Sequence, residues 1–359
     1  MDLSSLHRNR VGEHLNRPRE KDHPMNQSSS ARTPRSATAP FIVRAVRCPP
    51  PTRIDEALGQ EVNERLMEWI SNIGIFAGKE EKIRASDFGR YAMLCHADTN
   101  NPDRLLLVAQ CFAALFAVDD HYCDDQSLGG RPETVAESLS FALTAIDPVY
   151  LPSPFDKELL KQQMCDPVIR GLLAYMKRVA QFCTPSQVAR VRQITIAMFV
   201  TMAAEGPWRL YGTQPTVAEY LASRQVNSFW PCLVLIDLIG GYEVPANTYS
   251  RPDIHHVTAL ASLATTLVND LYSAYKEHLN ETGDFKLPYL LAARHNCSLQ
   301  EAIDLAADIH DAVMEEYERL HATLMKGTRS PVLRRYLTGL STWIGGNLEW
   351  HKHSARYHI

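Results

Sequence analysis

The chain has 359 residues, 45% of them hydrophobic, and a formal net charge of −4 with both signs spread along its length. That length buries a large core and permits one or two domains, while the mixed charge offers no basic stripe of the kind that binds nucleic acid. No apolar run is expected to reach the roughly 18 to 20 residues that span a bilayer, and no apolar core near the N-terminus marks a secretory signal.

Residues 1–47 are polar and rich in Arg, Ser and Pro. They bury too little apolar surface to offset chain entropy, so a disordered extension is expected there. Pro49-Pro50-Pro51 stiffens the start of a single folded domain spanning 48–359. The eight cysteines, at 48, 95, 111, 123, 165, 183, 232 and 297, form no CxxC pair. They read as small core hydrophobes in a reducing compartment, the cytosol.

From Ile54 onward the periodicity is helical. Leu58, Val62, Leu66 and Trp69 repeat at amphipathic spacing, and no alternating strand pattern of useful length occurs. About ten to twelve helices are expected, an all-α fold. Their starts are marked by Thr184-Pro185, Thr216 with Glu219, Ser298 with Glu301, and Ser330-Pro331.

One apolar helix, opened by Asn101 as N-cap and Pro102 at the first helical position, runs into Asp119-Asp120-His121-Tyr122-Cys123-Asp124-Asp125. Four carboxylates within seven residues repel one another unless a cation lies among them. All-oxygen ligands suit Mg²⁺, which completes its shell with water and substrate phosphates. At 3.6 residues per turn, Phe112, Leu115, Phe116 and Asp119 share a face, with Asp120 one turn from Asp124. An oily aromatic wall therefore ends in a cation-binding mouth.

Thr216 to Gly240 reads as a helix interrupted by Pro231. The proline removes an N–H and clashes with the carbonyl four residues earlier, so carbonyls near Asn227 and Ser228 are expected to lose their partners. A second polar cluster closes the apolar run from Val257 to Val268. Asn269, Ser273 and Glu277 recur every four residues, lining an amide oxygen, a hydroxyl and a carboxylate along one helix face, a hard-cation site. Phe112, Phe116, Phe199, Phe229, Trp230 and Trp343 are candidates for an apolar pocket; core packing explains each about as well.

These two clusters, a DDxxxD-type run at Asp119 to Asp124 and NDxxSxxxE at Asn269 to Glu277, resemble the paired motifs of the class I bacterial terpene synthases. The resemblance covers roughly residues 48 to 357. It implies an α-helical barrel around an apolar pocket, with Asp119, Asp120, Asp124, Asn269, Ser273 and Glu277 holding three Mg²⁺ ions about the diphosphate of a small allylic substrate. Arg224, 45 residues before Asn269, falls at the family's diphosphate-sensing arginine. Asn227 and Ser228 fall where the family usually has Asp and Gly, the pair that triggers ionisation at a broken helix. Arg356-Tyr357 resembles a late Arg-Tyr pair that binds diphosphate, and Lys276 is a further candidate for it.

Cys48-Pro49-Pro50, Phe88-Gly89-Arg90, Phe116-Ala117-Val118 before the aspartates, and Tyr220 to Gln225 resemble one branch, the 2-methylisoborneol synthases. That resemblance implies cyclisation of 2-methylgeranyl diphosphate with a final capture of water. The alternatives are deprotonation to 2-methylenebornane, a sesquiterpene cyclase acting on farnesyl diphosphate, and a helical scaffold without catalysis. Family members often pair, so a homodimer is also an expectation.

Overall fold

Capping residues open the helices where the sequence reading puts them. Thr184, Thr216 and Ser298 each accept from the N–H three residues on, and the side chains of Gln187, Glu219 and Glu301 accept in return, making three capping boxes. Asn101 likewise accepts from the N–H groups of Asp103 and Arg104, with Pro102 inside the first turn.

The computed structural model describes residues 41–124, 130–280 and 285–357, the side chains of 124 and 275–280 excepted. Among the described residues there is no strand, and the fold is all-α. The first group of helices is α1 (Glu56–Ile73), α2 (Glu80–Ser86), α3 (Phe88–Cys95) and α4 (Pro102–Val118), which runs into a π-helix at Asp119–Asp124. Next come α5 (Val135–Ile146), α6 (Phe155–Cys165), α7 (Pro167–Phe182), α8 (Pro185–Met202), α9 (Glu205–Tyr211) and α10 (Val217–Arg224). Three single-turn pieces follow, α11 (Trp230–Leu233), α12 (Ile236–Ile239) and α13 (Ala246–Tyr249). The chain then forms α14 (Pro252–Asn280), α15 (Leu287–His295), α16 (Leu299–Gly327) and α17 (Pro331–His353). The seventeen α-helices among the described residues exceed the ten to twelve expected, in part because the region around Pro231 breaks into short pieces.

Helix α3 is the hub, packing on α1, α4 and α17, while α14 packs on α16 and α17. An aromatic column crosses three helices. The Tyr91 ring of α3 stacks on Phe112 of α4 at 4.2 Å and on Trp350 of α17 at 4.1 Å. The Trp350 indole N–H also donates to the Ser86 carbonyl at 2.8 Å. Backbones meet as closely as side chains do: a Cβ on Gly346 of α17 would lie 2.6 Å from the carbonyl of Leu94 in α3. Only glycine permits that approach.

Two expectations change here. The segment Pro102–Cys123 is, by length and composition, long and apolar enough to cross a membrane, but 72% of its most apolar window is buried inside the protein. It is the core helix, covered by α1, α3 and α7. Residues 41–47, assigned by sequence to the extension, belong to the same unit as the helices. Arg44 pairs with Asp308 at 2.6 Å and Asp311 at 2.8 Å, Arg47 pairs with Glu318 at 2.6 Å, and the Ile42 backbone exchanges two hydrogen bonds with the Gln300 amide. Basic residues that read as solvated tail thus find an acidic stripe on α16. Residues 1–40 of the expected extension lie outside the described residues.

The glycine contact gives a stability test. Gly346→Ala is expected to destabilise the protein by about 1–3 kcal/mol through overpacking against backbone that cannot give way. Urea unfolding followed by circular dichroism measures it.

Candidate active site

A cavity opens between α4, α8, the break before α11, α14 and the C-terminal residues. Its apolar lining includes Phe112, Leu115, Phe116, Met198 and Phe229. Its polar lining is Asp119, Arg224, Asn227, Ser228, Asn269, Ser273, Lys286, Arg356 and Tyr357. The four residues expected on one face of α4 and its continuation all reach the cavity. Phe199, Trp230 and Trp343 do not line it. They are buried one layer out, Trp343 among Tyr91, Phe112 and Phe229, and Trp230 against His255. Helical spacing places an aromatic on the inner side of a helix without saying whether the next layer is cavity or core.

The acidic wall is not a plain α-helical continuation. Asp119–Asp124 winds as a π-helix, whose wider turn changes the stacking expected of Asp120 and Asp124. Tyr122 ties this turn to α7 by donating to Asp166 at 2.7 Å, and the Arg209 guanidinium donates to the Cys123 carbonyl. Asp120 meets Arg356 at 2.9 and 3.5 Å. Burial opposes the charge on Arg356, but Asp120 outweighs it and holds the guanidinium's pKa above its ordinary value. The guanidinium also lies 4.3 Å over the Phe116 ring. The Asp124 side chain lies outside the described residues.

The opposite wall is built on α14. Arg224 donates to one oxygen of Asp270 at 2.8 and 3.1 Å, and Tyr220 donates to the other at 2.8 Å. Burial works against the Arg224 charge, yet Asp270 more than compensates and raises its pKa. The same guanidinium donates to Asn269 Oδ1 at 3.2 Å and to the Asn227 carbonyl at 3.0 Å. The Asn227 carbonyl, expected to lose its partner at the helix break, is therefore taken up by Arg224. The break itself spans the turns between α10 and α11, and Ser228 sits there with a φ of 152°. That backbone region favours glycine, the residue the resemblance leads one to expect at this place. Asn227 in turn donates from its amide to buried Glu205 at 3.0 Å.

Asn269 Nδ2 donates to Tyr357 at 2.7 Å and lies 3.3 Å from His351 Nε2. Burial pushes the Tyr357 phenol up to about 12 and His351 down to about 3, so both rings are neutral near pH 7. Ser273 Oγ is buried and has no hydrogen-bond partner among the described residues, which leaves an oxygen ligand at the cavity wall. The side chains of Lys276 and Glu277 lie outside the described residues. Among the described residues no three His, Cys, Asp or Glu side chains gather as a ready-made metal site. Asp119, Asp120, Asn269 and Ser273 nonetheless present only hard oxygen ligands, which suits Mg²⁺ rather than a softer ion.

Sequence reasoning missed Lys286, a buried lysine on the cavity wall just before α15. No spacing pattern around it carries a signal. It also gave no role to Asp270, Tyr220 or His351, although Asp270 stands inside the second motif. Asp270→Ala would strand the fully buried Arg224 charge. A loss of about 3–5 kcal/mol is expected, read as a lowered midpoint in thermal unfolding.

Residues 110–316 match the family model of terpene synthase family 2, C-terminal metal binding. Over 308 residues the chain is 35% identical to the 2-methylisoborneol synthase of Streptomyces griseus, covering 85% of this chain and 70% of that one. It is 26% identical to the bonnadiene synthase of Allokutzneria albata, across 89% of this chain and 86% of that relative. The crystal structure of 2-methylisoborneol synthase from Streptomyces coelicolor A3(2), in complex with Mg²⁺ and 2-fluoroneryl diphosphate, superposes with a TM-score of 0.83 at 34% identity. That match covers 87% of this chain and 96% of that one.

Proposed function

We propose, from the premise that this chain belongs to terpene synthase family 2 and is a Mg²⁺-binding terpene cyclase, that it converts 2-methylgeranyl diphosphate to 2-methylisoborneol and diphosphate. The observation that carries the reading is the composition of this cavity: an aromatic and aliphatic wall meets hard oxygen ligands and buried cations. An oily chain and a charged leaving group need those two environments side by side. The 35% identity to a 2-methylisoborneol synthase over most of both chains supports the particular substrate.

In this reading Asp119, Asp120 and Asp124 on one wall and Asn269, Ser273 and Glu277 on the other hold three Mg²⁺ ions. Bound Mg²⁺ supplies positive charge that stabilises the departing diphosphate. Arg224, Lys276, Arg356 and Tyr357 bind its oxygens, adding planar guanidinium forks, an ammonium and a phenol O–H. Arg356 is engaged with Asp120 in the described structure, so loading the site transfers it from that carboxylate to the diphosphate. The allylic C–O bond breaks with its electron pair leaving on diphosphate. Phe112, Phe116 and Phe229 then face the resulting cation, fold the chain and exclude bulk water. Asn227 and Ser228, at the helix break, present polar groups close to the ionising end. One water closes the sequence by adding to the final cation and losing a proton. Pairing of two chains belongs to the same reading.

Incubation with Mg²⁺ and geranyl, 2-methylgeranyl or farnesyl diphosphate, followed by gas chromatography and mass spectrometry of the headspace, tests the assignment. A C11 alcohol from the methylated substrate is expected. A C11 hydrocarbon would replace water capture by deprotonation, and turnover of farnesyl diphosphate alone would overturn the substrate.

A further inference from the structure

His351 is fully buried in α17, six residues before Tyr357, and does not itself line the cavity. Its Nδ1 lies 2.8 Å from the Asn347 carbonyl. A carbonyl only accepts, so Nδ1 carries the proton. Its Nε2 lies 3.3 Å from Asn269 Nδ2. An amide nitrogen only donates, so Nε2 offers its lone pair. The ring cannot rotate freely between these roles: it stacks on Tyr357 at 4.9 Å and meets Trp350 and Phe229 edge-on. Asn347 is itself fixed, because its Nδ2 donates to the Thr265 carbonyl at 3.1 Å and its Oδ1 accepts from Tyr91.

The consequence falls on Asn269. An amide side chain has two nearly isosteric orientations, one presenting oxygen and the other nitrogen to a given neighbour. The Arg224 guanidinium, a donor only, lies 3.2 Å from Oδ1, and His351 Nε2, an acceptor only, faces Nδ2. Turning the amide over would set two donors together at Arg224 and two lone pairs together at His351. Arg224 occupies one lone pair of Oδ1 and leaves the second for a cation. Tyr357 alone could not enforce this choice, since a hydroxyl both donates and accepts.

We propose that His351 is a positioning residue for the cation site, holding the Asn269 amide so that its oxygen, and not its NH₂, is presented to Mg²⁺. The inference rests on the reading of Asn269 as a Mg²⁺ ligand. Partners of this kind behind a metal ligand typically change metal affinity by about 10–100-fold when removed. His351→Phe keeps a flat ring for the stack on Tyr357 and deletes both nitrogens. His351→Gln restores an oxygen acceptor near the position of Nε2.

Calorimetric titration of Mg²⁺ into protein saturated with inorganic diphosphate reads the effect without turnover. His351→Phe is expected to bind Mg²⁺ about tenfold or more weakly, while His351→Gln stays close to the unsubstituted chain. Equal losses in both variants would mean a purely structural role and overturn the proposal, as would unchanged affinity in His351→Phe. Absence of Mg²⁺ binding by the unsubstituted chain would instead overturn the functional reading beneath it. Should His351→Phe fail to fold, the ring tautomer in the unsubstituted protein decides. With ¹⁵N-labelled histidine, nuclear magnetic resonance is expected to show the Nδ1–H form for the resonance lost in His351→Gln, and an Nε2–H form would overturn the proposal.

Discussion

Carboxylates crowded at the end of a buried apolar helix repel one another unless positive charge lies among them. That constraint shapes the whole molecule. The charge facing Asp120 comes from Arg356, 236 residues further along the chain, and a guanidinium just beyond the last helix reaches the end of the fourth only if the intervening bundle closes. The elements that close it are those with the tightest packing: α3 between α4 and α17, the Phe112, Tyr91 and Trp350 column, and a glycine where α17 meets the α3 backbone. Core packing and site electrostatics are here the same requirement seen at two distances.

Neighbouring residues then join the two walls. Arg356 holds Asp120 on the acidic side, and Tyr357 accepts from Asn269 on the α14 side. The second wall has its own internal charge balance, with Arg224 neutralised by Asp270 and steadied by Tyr220. Arg224 therefore keeps its charge in an almost dry setting while still touching Asn269 and the carbonyl at the helix break. The cavity is thus lined by cations and oxygen ligands together with aromatic and aliphatic side chains. The aromatic rings that back it are braced from behind, Phe116 by stacking on Phe88 at 5.1 Å, so the wall is set by the core.

Much of this was legible in the sequence, for identifiable reasons. Caps are local, and Asn101, Thr184, Thr216, Ser298 and Ser330 act where they stand. The face shared by Phe112, Leu115, Phe116 and Asp119 follows from helical geometry alone, as does that shared by Asn269 and Ser273. What escaped depends on side-chain partners that helical spacing does not give. The π-helical turn at Asp119 is held by Tyr122 on Asp166 and Arg209 on Cys123. The Asn227 carbonyl finds a donor in Arg224, so a proline-broken helix did not leave it unpaired. Trp343 and Trp230 were drawn to the pocket by size, yet an indole is as readily a brace as a lining. His351 carries no signal in the sequence, because what it does to Asn269 depends on a contact between α17 and α14.

In the proposed function Asp120 exchanges Arg356 for Mg²⁺ when the site loads. A crystal structure with Mg²⁺ and inorganic diphosphate tests it most directly. The expected result has Asp120 ligating Mg²⁺ and Arg356 turned onto a diphosphate oxygen. A diphosphate bound with the Arg356–Asp120 pair intact and no cation on Asp120 would contradict it.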